Sequence, residues 1–147
     1  MAHIAIDARK YFDFGIGSYI QNLISALPEL RSKHTYSLLV APDDVQRIQC
    51  PQEWRKHATP YKRYSMGELM LLGRQARSLG VDIFHEPHYT LPTGLKGRSV
   101  VTIHDLIHLK MPQFFGPAQR IYARTVIGHA VRHAGAVIVD SQKTKDD

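Results

Sequence analysis

The chain has little cysteine, no long apolar run and no repeated or low-complexity tract. Its single thiol, Cys50, has no internal partner for a disulfide, which suits a reducing compartment and a free, partly buried side chain. No stretch reaches the ~18 apolar residues of a membrane-spanning helix. Met1 to Arg9 lacks the charged-then-apolar profile of a secretory leader, so a cytoplasmic protein is expected. Two phosphate-binding signatures are also missing. Ile20 stands where a dinucleotide fingerprint has its third glycine, and no Walker lysine follows the glycine loop.

What is present describes a globular chain of 147 residues, 44% apolar and 22% charged, enough for one domain with its own core. The formal charge is +6, with nine histidines besides. Such a balance favours phosphate-bearing ligands, polyanions or an anionic membrane surface. Nucleic acid is not expected, because aromatic residues are not interleaved with the basic ones as stacking platforms require.

Strand and helix patterns alternate along the chain. Residues 3–7 form a short apolar run, as a buried parallel strand does. Gly15-Ile16-Gly17 follows, and the capping-box spacing of Ser18 and Gln21 predicts a helix with Ser18 as its N-cap. Pro28 ends that helix. A strand is expected over 36–41 and a short one near 57–60. A helix is expected from Ser65 to Leu79 with Gly80 as its stop, then strands over 81–85 and 99–104. Apolar residues keep helical spacing from Pro117 to Ala134, Ala136 to Val139 makes a last strand, and Ser141 caps a helix that has barely begun. This order predicts an α/β fold: a Rossmann-like parallel sheet with helices on both faces. A frayed tail and a truncated domain both explain the carboxyl end, and truncation is the reading preferred.

In such sheets ligands bind beyond the carboxyl ends of the strands. Gly15 and Gly17 permit close backbone approach, and the helix start beside them suits a phosphate or carboxylate; the same glycines could serve the turn alone. His85, Glu86 and His88 follow one strand end, and His104, Asp105 and His108 the next. Asp105 could orient His104 or bind a hydroxyl directly, and imidazoles suit proton transfer as well as neutral hydrogen bonding. These histidines also contain enough ligands for zinc, although their spacing matches no helical metal motif and Pro87 interrupts a helix there. Met66, Leu69, Met70, Leu71 and Leu72, flanked by Arg74 and Arg77, read either as core packing or as a membrane-surface helix.

Several segments together resemble the amino-terminal domain of family-4 glycosyltransferases of the GT-B fold. They are Ile-Ala-Ile-Asp-Ala-Arg with Gly15-Ile16-Gly17-Ser18-Tyr19, Asp82-Ile-Phe-His-Glu-Pro-His, Val100-Val-Thr-Ile-His-Asp-Leu-Ile-His, and Ala136-Val-Ile-Val-Asp-Ser. The look is closest to bacterial mannosyltransferases. The resemblance implies that residues 1–147 form the acceptor-binding half of a two-domain enzyme. The donor domain, with its E-x7-E acids, is absent from this chain. It implies retaining, metal-independent transfer of mannose from GDP-mannose, with no further cofactor, in surface polysaccharide synthesis. His104 would contact the transferred sugar, with Asp105 beside it. Gly15, Ile16 and Gly17 would lie against donor phosphates and acceptor, and Glu86 and His88 in the acceptor-side loop. The partners implied are a sugar or lipid-linked saccharide, the missing donor domain, and the inner membrane face as a peripheral contact. The chain alone would be inactive. The alternatives are a nucleotide- or sugar-binding module without chemistry and, behind it, a zinc hydrolase.

Overall fold

A computed structural model describes residues 1–65, 67–95 and 97–147. Six strands form one fully parallel sheet: β1 (His3–Asp7), β2 (Thr35–Val40), β3 (Arg55–Ala58), β4 (Ile83–Glu86), β5 (Ser99–Ile103) and β6 (Ala136–Val139). Their order is β3-β2-β1-β4-β5-β6. The chain therefore reverses its winding between β1 and β4, the switch point at which such sheets open a crevice. The expected Rossmann-like α/β fold is the one observed.

Two side-chain layers close the sheet. On one face Ile6, Leu38 and Val40 pack with Ile20 and Ile24 of helix α1 (Ile16–Ala26) and with Trp54. On the other, Ala5, Leu39 and Phe84 meet Leu72 and with it Ala76 of α2 (Gly73–Ser78). After α3 (Ile107–Lys110), helix α4 (Pro117–His133) joins that second face, setting Ala123 and Ile127 against Ile103 and Ala130 against Val101. Alternate residues of each strand thus serve opposite layers, which is why both faces need apolar side chains.

Three local expectations are corrected. Ser18 is not the N-cap of α1, because Gly15 takes that position with φ +65° and the helix begins at Ile16. Gln21 instead donates its side-chain amide to the Tyr11 carbonyl. The helix expected over 65–79 contains a π turn at Glu68–Leu72. Its cause is Thr93, whose backbone N–H and hydroxyl both donate to the Leu69 carbonyl, at 2.7 and 2.9 Å, and so compete with the ordinary helical bond. Gly73 admits this approach, since a Cβ there would lie 2.1 Å from the Thr93 carbonyl oxygen. The stretch between the strand expected over 99–104 and the helix expected from Pro117, where no element was expected, holds α3 and a 3-10 turn at Pro112–Phe114.

Of the apolar cluster on this second helix, Leu72 is buried while Met70 and Leu71 are 61% and 40% exposed, and Met66 lies outside the described residues. Ser141 does cap the next helix, α5 (Gln142–Asp146), accepting from the Thr144 N–H.

Candidate active site

Because every strand is parallel, the loops after β1, β4, β5 and β6 emerge on one edge of the sheet. There the segments after β1, β4 and β5, with Tyr64 and the start of α4, border an open pocket of about 660 Å³. Its wall is aromatic and imidazole-rich: Tyr64, His88, Tyr89, His104, His108 and Tyr122, with Asp105 and Ile16 beside them. Five of the residues singled out by sequence, Ile16, His88, His104, Asp105 and His108, therefore meet in one place. Tyr64, Tyr89 and Tyr122 were not foreseen.

His104 is held on both sides of its ring. Nδ1 lies 2.8 Å from the Asp140 carboxylate and Nε2 lies 3.1 Å from the Pro87 carbonyl. Both partners are acceptors, so a ring carrying one N–H donates to one of them at a time. The orienting carboxylate is thus Asp140 rather than Asp105, whose Oδ1 accepts from the Ile107 N–H. Helix α5 grips the backbone as well, since the Thr144 hydroxyl donates to the His104 carbonyl at 3.0 Å. Tyr19 of α1 packs edge-on against the ring at a centroid distance of 5.0 Å.

The other histidines differ sharply in setting. His85 points to the α1 face, buried, with Nε2 2.9 Å from the Thr102 hydroxyl. Burial, with help from His104, pushes its pKa down to about 4. His88 shares a 2.9 Å hydrogen bond with Thr90, and burial together with the Lys10 charge lowers it to about 2. Both are neutral rings at ordinary pH. Burial also raises the phenols of Tyr89 and Tyr122 to about 12, keeping them protonated as donors. Among the described residues no three His, Cys, Asp or Glu side chains converge as a metal-holding group, so the zinc alternative has no ligand set there.

Behind the pocket lies a buried charge nest. Arg9 bonds Asp7 through Nε and Nη2 and reaches Glu68 with Nη2 at 2.6 Å. Burial works against the Asp7 charge, yet Arg9 outweighs it and holds this carboxyl below the usual range. Glu86 is the opposite case. Burial, reinforced by the Asp7 charge, raises it well above an ordinary carboxylate. The register Ile6 to His85 sets the next residues, Asp7 and Glu86, side by side, and Glu86 is hydrogen-bonded to Asp7. Glu86 is therefore the partner that carries the shared proton.

The glycine loop does different work at its two glycines. Gly17 is packed: a Cβ would fall 2.5 Å from the Tyr11 carbonyl oxygen. The amides of Ile16 and Gly17 are already used by the carbonyls of Phe14 and Asp13. Gly15, left-handed, has no atom within 4 Å of where its Cβ would be and leaves that side of the loop open.

The family model described as Glycosyltransferase Family 4 matches residues 15–147, and the chain belongs to that family. No curated protein matches the chain. No helix among the described residues is long and apolar enough to cross a membrane.

Proposed function

We propose that the chain supplies the acceptor-side wall of a retaining, nucleotide-sugar-dependent glycosyltransferase, moving mannose from GDP-mannose to a saccharide or lipid-linked saccharide in bacterial surface polysaccharide synthesis. The observation that carries this reading is the pocket at the switch point. It is a concave site of aromatic faces with hydroxyl and imidazole groups, the lining that stacks on sugar rings and reads their hydroxyls. In this reading His104, fixed by Asp140 and Pro87, meets the transferred sugar, and Asp105 and His88 face the acceptor. Ile16 and the open side of Gly15 border the donor, with Gly17 holding the loop in place.

Transfer needs two reactants in attack geometry with water excluded. One wall of aromatic residues orients the acceptor but does not enclose it, so a donor domain with E-x7-E acids completes the cleft. Inner-membrane contact, also part of the proposal, draws support from exposed Met70 and Leu71 on the same segment as exposed Arg74. Arg77 contributes less, as its guanidinium donates to the Gly94 carbonyl at 3.0 Å.

Titration of this chain followed by NMR tests the assignment. Mannose-containing saccharides are expected to shift the resonances of His88, His104 and Tyr122, while mannosyl transfer from GDP-mannose appears only after a donor domain is added. Transfer by the chain alone at ordinary enzyme rates, or saccharides that leave all three residues unmoved, overturns it.

A further inference from the structure

A buried ammonium lies beneath the pocket wall. Lys10, in the loop after β1, is 4% exposed, and its Nζ has no hydrogen-bond partner among the described residues. It lies 4.4 Å from the centroid of the Tyr64 ring, a cation–π contact that offsets only part of the desolvation of an unpaired ammonium. One strand over, Glu86 Oε2 is likewise buried and without a partner. A donor and an acceptor thus stand unmet in one nest, each within electrostatic reach of the other.

The charges of that nest decide what it can take. Asp7 and Glu68 are answered by Arg9 and Lys10, and Glu86 is neutral through the proton it shares with Asp7. An added anion would unbalance the nest. Two adjacent hydroxyls would not: one accepts from Lys10 and the other donates to Glu86 Oε2.

Tyr64 separates this pair from the pocket it lines. It is a non-glycine residue at φ +59°, half exposed, above Lys10 and edge-on to His88 at 5.8 Å. A residue in that sparsely populated region, with its ring between a pocket and an unmet buried donor, is placed to move aside.

We propose that Lys10 and Glu86 form a hydroxyl-reading subsite of the pocket, covered by Tyr64 as a lid, that takes a vicinal diol of a neutral sugar. The proposal rests on the saccharide-acceptor reading above and specifies which sugars fit it.

The test is NMR titration of the full chain with methyl α-D-mannopyranoside, using glucose 6-phosphate as the anionic competitor. Lys10→Met is expected to weaken mannoside binding about tenfold or more, the loss of one charge-assisted hydrogen bond. Glu86→Leu is expected to weaken mannoside binding as well, because it removes the acceptor that the second hydroxyl would use. If Lys10→Met binds the mannoside as the parent does while His104 and Tyr122 still shift, the subsite is overturned and the saccharide reading stands. Stronger binding of glucose 6-phosphate than of the mannoside also overturns the subsite. If no pocket resonance moves in any variant, both readings fall.

Discussion

Replacing His85 with Gln is expected to flatten the acid side of the stability curve. The native imidazole is buried against Thr102 and takes up a proton only near pH 4, whereas the unfolded one does so near 6.5. Between those values the unfolded state binds more protons, so this residue's contribution is fully present above pH 6.5 and is lost as the pH falls. Integrated from pH 7 to pH 4, the linkage removes about 3 kcal/mol, a large share of the ~5–15 kcal/mol that holds a domain folded. His88 acts in the same direction, with its native value near 2. Glu86 acts in the other: its raised native value gives stability that is present at low pH and lost as the pH rises through it. The informative quantity is therefore the difference between parent and variant. A glutamine amide can keep the bond to Thr102 but cannot titrate, so His85→Gln should lose about 3 kcal/mol less than the parent over that interval. Urea unfolding at a series of pH values, followed by the fluorescence of buried Trp54, measures this directly. Parallel curves for parent and variant would refute the reasoning.

Two further outcomes follow from the site. Gly17→Ala is expected to destabilise the fold by about 1–3 kcal/mol, as overpacking does, because its Cβ would strike the Tyr11 backbone at 2.5 Å; an unchanged thermal midpoint would show that the loop yields freely. Asp140→Ala is expected to free the His104 ring, averaging out the ring-current shift that edge-on Tyr19 imposes at 5.0 Å. His104 proton shifts identical to the parent's would show that Pro87 and Tyr19 suffice to hold it.

The strands and the long helix α4 were legible because their signals are local. Ala123, Val126, Ile127 and Ala130 repeat at helical spacing and are the residues that α4 buries. The gathering of His88, His104 and Asp105 was legible for a topological reason, since parallel strands deliver every carboxyl-end loop to one edge. Partners distant in sequence were not. Asp140 lies 36 residues from His104, and nearby Asp105 was the more obvious orienting group until its carboxylate proved to be engaged with the Ile107 N–H. Tyr64 and Tyr122 reach the pocket from outside the strand-end loops, Tyr122 from a helix read only for its period. The π turn depends on Thr93 docking against Leu69, 24 residues earlier, and no local periodicity announces it. Ser18 misled because its capping-box spacing was real, but Gly15 could adopt a left-handed backbone and start the helix sooner.

The clasp on His104 has a mechanical consequence. One short stretch, Asp140 to Thr144, holds both the imidazole and the peptide carbonyl of the same residue. The ring therefore cannot keep its aim if α5 shifts relative to β5. The outermost strand and the helix after it act on that imidazole as a lever acts on its fulcrum, and a displacement at the rim of the sheet becomes a rotation at the pocket wall.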